Sequence, residues 1–305
     1  MKVFLNPGRL FNYTWMAVIL VSIITRSGVD PADQMEQIRA YSRAYEFDFV
    51  SWTISALGRK TSQSSLSVDR YLPISEQREL IFDYLQLKDE INQLESQLSA
   101  VIADPDQEER QEREAQVRAE LDQKDSQREN LAPFVEQVLQ SQLNHALIEL
   151  DMSLGGQLIP PVLFRSEPNS YALIVSPRDE IRQEANIMLV RGLSLDEIIN
   201  LENVIERELD LSALVVGIGG VGLYPSMIIE TSNLDWLIHV TSHEWTHNYL
   251  TLRPLGMHYG ASPELKTINE TIADLSADEI QQKTYELYYP EYLPEEEVPP
   301  PLPNN

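Results

Sequence analysis

The sequence predicts an α+β fold: a small mixed or antiparallel sheet with helices, preceded by a membrane anchor and an antiparallel coiled-coil hairpin. Three observations predict it. An uncharged run lies near the N-terminus, a heptad pattern of apolar residues begins near residue 75, and short strand-like runs alternate with helical segments after residue 153. A chain of 305 residues can hold one good core plus an accessory element.

The chain is strongly acidic, with a formal net charge of −25 at pH 7. Such a charge repels phosphate groups, which argues against a nucleic-acid partner and against docking on anionic lipid beyond the anchor itself. The sequence has no cysteine, so no disulfide framework is possible. Any bound metal must therefore use His and carboxylate side chains.

Residues 1–28 are predicted to be a signal anchor or transmembrane segment. The run Leu10–Thr25 has no charge, and its sixteen residues would form a helix of about 24 Å. No small-x-small cleavage site follows, so we expect an uncleaved anchor; a cleaved signal and a soluble helix are the alternatives. Lys2 and Arg9 precede the run, which predicts a single-pass protein whose bulk lies outside the cytoplasm.

Residues 29–74 are predicted to form an amphipathic helical segment that packs on the core. Apolar residues recur there at three- to five-residue spacing: Met35, Ile38, Tyr41, Tyr45, Phe49, Trp52 and Leu57. The aromatic side chains leave two alternatives open, a substrate groove and a membrane-surface contact.

Residues 75–152 are predicted to form an antiparallel helical hairpin with coiled-coil packing. Leu80, Leu87, Leu94 and Val101 occupy one core position of the heptads, and Tyr84, Ile91 and Leu98 occupy the other. Asp104-Pro105-Asp106 would break the helix. An intramolecular hairpin would bury the apolar faces of both helices against each other. Self-association of two chains through the coiled coil is the alternative.

The segment from residue 153 to residue 289 is predicted to form one domain. Its first part contains strand-like runs at Val162–Phe164, Tyr171–Val175 and Asn186–Val190. A capping box at Ser194 to Glu197 predicts a helix that ends near Leu209. The uncharged run that follows predicts two strands around a glycine turn, Ala213–Ile218 and Leu223–Ile229. Residues 290–305, rich in Pro and Glu, are predicted to be a disordered tail.

The motif His243-Glu244-Trp245-Thr246-His247 lies on a helix predicted to run from Ser232 or Asn233 to about Leu252. Residues four apart point the same way on a helix, so His243 and His247 can bind one metal ion. Glu244 lies beside that pair, where its carboxylate would contact a metal-bound water and act as a general base.

Hydrolytic zinc sites use three protein ligands and leave a fourth position for water, so a third ligand is expected. Glu270 is placed to supply it, because it follows the motif by 23 positions on a helix predicted to start at Ser262–Pro263. Asp274, one turn further on, would accept the spare ring N–H of a ligand His. His239, one turn before the motif, is interpreted as a packed or supporting His.

The stretch from Trp236 to about Glu286 resembles the gluzincin zinc metallopeptidases, whose type member is thermolysin. That family pairs H-E-x-x-H with a downstream N-E-x-x-x-D, which stands here at Asn269, Glu270 and Asp274. The resemblance implies a thermolysin-like zincin domain, Zn²⁺ as cofactor, and His243, His247 and Glu270 as its ligands. It also implies that Glu244 is the base, that Asp274 supports a ligand and that Tyr259 steadies the oxyanion.

One departure from the family concerns its further catalytic His, which lies after the helix that carries the ligand Glu. This sequence has no His after His258, so either Tyr259 or His258 takes over, or turnover is slow.

These observations predict a membrane-anchored zinc metallopeptidase that cleaves peptides or proteins by means of a zinc-bound water. The aminopeptidase segment G-x-M-E-N is absent, which favours an endopeptidase. We expect the strand Leu223–Ile229 to be an exposed edge that lines the cleft above His243 and pairs with the substrate. The alternative function is a catalytically inactive zinc-binding or coiled-coil scaffold protein at the membrane.

Overall fold

The computed structural model describes residues 33–64, 71–103, 107–168, 170–180, 182–190, 193–221 and 223–293. Helices and small sheets make up these residues, as the α+β prediction expects. The chain divides into two compact units, one of residues 1–47 and 171–216 and the other of residues 48–170 and 217–305. The division differs from the predicted domains, which kept residues 153–289 together.

The described helices and strands have the following bounds. The helices are α1 (Gln34–Ser42), α2 (Phe49–Ser64), α3 (Ile74–Ala103), α4 (Gln107–Glu149), α5 (Leu195–Leu209), α6 (Leu234–Thr251), α7 (Pro254–Met257) and α8 (Pro263–Tyr288). The strands are β1 (Phe164–Glu167), β2 (Tyr171–Pro177), β3 (Ala185–Leu189), β4 (Leu211–Gly217), β5 (Gly220–Val221) and β6 (Ser226–Ile229).

The first unit is built on a three-stranded sheet of order β3-β2-β4, in which β2 and β3 are antiparallel. Leu173 of β2 and Ile205 of α5 are completely buried in its core. The predicted capping box is confirmed, since the Ser194 hydroxyl accepts from the Glu197 N–H and the Glu197 carboxylate accepts from the Ser194 N–H.

The prediction of one helical segment over residues 29–74 is wrong in its middle. α1 ends at Ser42 because the chain then turns to pair with β3, where Glu46 forms a bridge to Leu189. A new helix starts at Phe49, and the Asp48 side chain accepts from the first free N–H groups of α2. The apolar spacing continues across this break, which is why the sequence pattern conceals it.

α3 and α4 pack against each other as the predicted hairpin requires. Gln77 contacts Gln142, and Lys124 donates to Glu90 at 2.6 Å, so the helices run antiparallel. The buried side chains of α3 include most of the predicted heptad positions: Tyr84, Leu87, Ile91, Leu94 and Val101. The predicted helix break at residues 104–106 lies outside the described residues.

The second unit contains a three-stranded sheet of order β1-β6-β5, with β1 parallel and β5 antiparallel to β6. Two expectations are therefore wrong. β4 and β6 do not form a hairpin, because β4 pairs with β2 in another sheet. The predicted edge Leu223–Ile229 is instead the central strand β6, and its four residues are all buried.

The outer edge of β1 is closed by side chains of α4. Three oxygens spaced one turn apart accept from alternate N–H groups of the strand segment: Asn144 from Val162 at 2.8 Å, Gln140 from Phe164 at 3.0 Å and Glu136 from Ser166 at 2.8 Å. The spacings match because four helical residues advance about 6.0 Å and two strand residues advance about 6.6 Å. Among the described residues, β5 is left as the open edge of this sheet.

The prediction that residues 290–305 form a disordered tail is wrong for the first residues of that segment. Residues Pro290–Tyr292 form a 3₁₀ turn, and Leu293 packs against the core of the second unit. Glu291 also forms an ion pair with Arg78 of α3. The segment after Tyr289 is therefore ordered to residue 293 by apolar packing and charge, and the remainder of the predicted tail lies outside the described residues.

The predicted membrane anchor, residues 1–28, also lies outside the described residues. Among the residues that the structure describes, no helix combines the length and the apolar character that crossing a bilayer requires. The anchor stays a prediction from the sequence.

Candidate metal centre

Two helices of the second unit, α6 and α8, carry the candidate site and pack against each other. Both start where the sequence predicts. Asn233 accepts from the Trp236 N–H at 2.9 Å, and Ser262 accepts from the Leu265 N–H at 3.3 Å, so each helix has an N-terminal side-chain cap.

The three predicted ligands meet at one place. His243 Nε2 and His247 Nε2 lie 3.0 Å apart, and each lies 3.4 Å from Oε2 of Glu270. Ligands at tetrahedral corners about 2.0–2.2 Å from a zinc ion lie about 3.3–3.6 Å from each other. Both distances to Glu270 fall in this range, and the distance of 3.0 Å between the two imidazole nitrogens is shorter, so the rings would have to separate slightly to hold one ion. The three residues therefore form a group that could hold a metal.

The surroundings of the two imidazoles suit metal binding. His243 Nδ1 lies 2.8 Å from Oδ1 of Asp274, and this contact assigns the proton to Nδ1 and leaves the Nε2 lone pair for the ion. Burial lowers the pKa of His247, which favours its neutral form at pH 7. Asp274 thus occupies the supporting position that the sequence predicts for it.

Tyr259 contacts a ligand of the candidate site. Its hydroxyl donates to Oε1 of Glu270, which leaves Oε2 directed at the two imidazoles. Its ring packs edge-on against His247, with centroids 5.8 Å apart and an interplanar angle of 88°. Burial and the hydrogen bond to Glu270 raise the pKa of Tyr259, so the phenol stays protonated and donating at neutral pH.

Glu244 is buried beside this group, with 9% of its surface exposed. Burial, helped by the negative charge of Glu270, raises the pKa of Glu244 to about 8. A protein carboxylate with such a pKa holds and releases protons near neutrality, which is the property that a general acid or base needs.

The backbone of β5 passes directly against the Glu244 carboxylate. A Cβ atom built on Gly220 would lie 3.0 Å from Oε1 of Glu244 and 3.1 Å from the carbonyl oxygen of Met227. A side chain at Gly220 would therefore push the Glu244 carboxylate or the β6 backbone aside by a few tenths of an ångström. Sequence reasoning missed this residue, although a glycine inside a strand is a known sign of close backbone approach.

Asn248, one turn after Glu244, was also missed. Its amide nitrogen lies 2.8 Å from the Leu223 carbonyl oxygen, 3.0 Å from the Ser226 hydroxyl and 3.1 Å from the carbonyl of Glu244. The side chain thereby fastens the turn between β5 and β6 to the helix that carries the metal-binding motif. The only sequence signal was a polar residue on a buried stretch of that helix.

His258 lies away from the candidate ligands. Its Nδ1 donates to the Pro254 carbonyl at 2.6 Å, and the ring is exposed. Within the described part of the chain it makes no contact with His243, His247 or Glu270. Of the two residues suggested as replacements for the family's further His, Tyr259 is the one that contacts the site.

No protein-family model matches this chain, and no curated protein or solved structure matches it. The fold and the site define it as an α+β protein with a candidate metal centre of two imidazoles and one carboxylate. A second carboxylate, Glu244, and an open strand edge adjoin that centre.

Proposed function

We propose that this protein is a zinc-dependent metallopeptidase. The observation that carries the proposal is the convergence of two imidazoles and one carboxylate, 3.0 to 3.4 Å apart, beside the buried carboxylate of Glu244. The ligand side chains are reachable, with 18% of His243 and of His247 and 39% of Glu270 exposed.

The donor set fits zinc better than the common hard cations. Two imidazole nitrogens and one carboxylate oxygen suit Zn²⁺, whereas Ca²⁺ and Mg²⁺ prefer all-oxygen sites. Three protein ligands also match a catalytic and not a structural zinc site, because structural sites use four. When bound, Zn²⁺ lowers the pKa of a water molecule toward neutrality and polarises a carbonyl group.

The protein's own part in the reaction is proton transfer by Glu244. Its carboxylate would take a proton from the attacking water and pass it to the nitrogen of the leaving amine. Its buried position next to the candidate ligands supports this role. The Asp274 carboxylate meanwhile holds the His243 ring through Nδ1.

An extended peptide would bind along β5. Gly219 O accepts from the Ile229 N–H, and because the pattern alternates along a strand, the N–H and C=O of Gly220 point away from β6. β5 is the open edge among the described strands of this sheet, and Gly220 adjoins Glu244. Backbone pairing at this edge would hold a substrate regardless of its side chains.

A peptide-library digest of the zinc-loaded protein tests the proposal. Glu244→Gln should abolish cleavage and keep stoichiometric zinc, because it removes the base and no ligand. His243→Ala should lose both zinc and activity, and Glu279→Gln, an exposed change on α8, should lose neither. Full activity of Glu244→Gln would refute the mechanism, and zinc without any cleavage would indicate the non-catalytic alternative.

A further inference from the structure

The connection between α6 and α8 is short and carries Tyr259. It contains α7, which packs against both helices. Local hydrogen bonds fix its backbone, since the Met257 N–H donates to the Arg253 carbonyl at 3.0 Å and the Tyr259 N–H donates to the Gly256 carbonyl at 3.1 Å. The position of Tyr259 therefore depends on the position of α7.

Asn269 holds this connection to α8. Its side chain is completely buried, and its amide nitrogen donates to the Leu255 carbonyl at 3.1 Å and to the Leu265 carbonyl at 2.9 Å. The first contact joins α8 to α7, and the second lies within α8. Among the described residues, Oδ1 of Asn269 has no hydrogen-bond partner. Burial of an unpaired oxygen destabilises a protein, so the stability of α8 does not explain an asparagine here.

Gly256 allows α7 to pack closely on the other helix. A Cβ atom built on Gly256 would overlap the backbone carbonyl group of Leu250, near the end of α6. Only a residue without a side chain permits this approach. α7 is thus held on both sides, by the Asn269 side chain on α8 and by its close packing on α6.

The end of the connection returns to the same turn of α8. The Tyr259 hydroxyl donates to Oε1 of Glu270, which is the residue next to Asn269. Oε2 of Glu270 lies 3.4 Å from Nε2 of both His243 and His247. A shift of α7 would move the hydroxyl away from Glu270, and the carboxylate would then be free to rotate.

We propose that Asn269 and Gly256 are positioning residues, which hold α7 so that Tyr259 keeps the Glu270 carboxylate directed at the two imidazoles. The inference rests on the metal centre of the proposed function, and it does not require peptide cleavage. Hydrogen bonds that orient a carboxylate ligand strengthen metal binding. Loss of either positioning residue should therefore weaken the binding of zinc.

Chelator competition with the full-length protein measures the dissociation constant of zinc and tests the inference. Asn269→Ala and Gly256→Ala should each raise this constant about three- to tenfold, which does not exceed the change expected of Tyr259→Phe. In a Tyr259→Phe background, either change should have less than about a twofold further effect, because the hydroxyl through which it acts is absent.

Two variants serve as matched controls, and neither should change the dissociation constant. Thr271→Ala lies on the other side of Glu270 from Asn269, and it removes a hydroxyl that bonds within α8. Gly260→Ala lies in the same connection as Gly256, and nothing lies within 4 Å of a Cβ at that position.

The visible absorption of bound Co²⁺ distinguishes a displaced ligand from a less stable fold. Its bands depend on the geometry of the ligands. Asn269→Ala should therefore change the bands in the same way as Tyr259→Phe, whereas bands identical to those of the wild-type protein would contradict the inference.

Two further results would overturn it. One is an unchanged zinc affinity in both Asn269→Ala and Gly256→Ala. The other is a loss of equal size with and without the Tyr259 hydroxyl, since the two residues would then act by another route. Either result leaves the proposed function intact, whereas a wild-type protein that binds no zinc would refute both. Circular dichroism checks the fold of each variant, and because the two changes lie on different helices, one misfolded variant still leaves the other to decide.

Discussion

Nδ1 of His243 lies 2.8 Å from a carboxylate oxygen of Asp274, a residue 31 positions further along the chain. The contact joins α6 to α8 and fixes the ring of a candidate ligand. If His243 binds a metal, a carboxylate in this position would orient and support its ring.

Asp274→Asn should weaken zinc binding about 10- to 100-fold, because the amide accepts a weaker hydrogen bond from His243 and leaves the ring less basic. Competition with a chelator measures the dissociation constant of zinc. Asp278→Asn is the matched control, one turn further on, and should leave that constant unchanged. Equal affinities for all three proteins would contradict the supporting role of Asp274.

Tyr259→Phe distinguishes two roles for the phenol. Its hydroxyl donates to Glu270, so we expect the variant to bind zinc about tenfold more weakly and to recover most of its kcat when zinc is saturating. Chelator competition and saturated turnover give the two quantities. A zinc-saturated variant whose kcat is lower by about 10²-fold would place the hydroxyl at the reacting oxygen, the role that the family resemblance implies.

Gly220→Ala should lower kcat/KM with zinc still bound, by less than the roughly 10²-fold that a misplacement of 1 Å can cost. The added methyl group would meet the Glu244 carboxylate at 3.0 Å and the Met227 carbonyl at 3.1 Å, which displaces either the base or the strand edge. Gly217→Ala is the control, because nothing lies within 4 Å of a Cβ at that position. Peptide cleavage at saturating zinc measures the effect. Unchanged kinetics of Gly220→Ala would contradict a role for β5 in the reaction.

Asn248→Ala should destabilise the protein by about 1–3 kcal/mol, because it leaves a partly buried carbonyl of Leu223 without its donor. Urea unfolding followed by circular dichroism measures the change. KM for peptides should also rise, since the turn after β5 is no longer held to α6. Thr251→Ala, which removes an exposed hydroxyl bonded within the same helix, should change neither quantity.

The parts that sequence reasoning recovered are those with local signals. The caps at Asn233 and Ser262 mark the starts of α6 and α8, and spacing along each helix brings His243, His247 and Asp274 to the facing surfaces. Glu270 followed from the number of ligands that a hydrolytic zinc site needs. A site that lies on two packed helices can therefore be predicted largely from local signals in the sequence.

The parts that sequence reasoning missed depend on distant pairing. Alternating apolar and polar residues predict a strand but not the strand that it pairs with. The prediction therefore paired β4 with β6, although the two strands lie in different sheets. The contacts of Gly220 and Asn248 arise only once β5 and β6 lie against α6. Neither contact has a sequence motif of its own.

The row of Glu136, Gln140 and Asn144 along β1 has a consequence for self-association. A sheet whose β1 edge is covered has one open edge among the described strands, at β5. Two copies that pair through β5 would leave no open edge of this sheet for a third copy. Assembly through this sheet would therefore stop at a pair and could not extend into a fibre. Under the proposed function β5 is also the strand that binds the peptide, so pairing through β5 would occupy the substrate-binding edge of both copies.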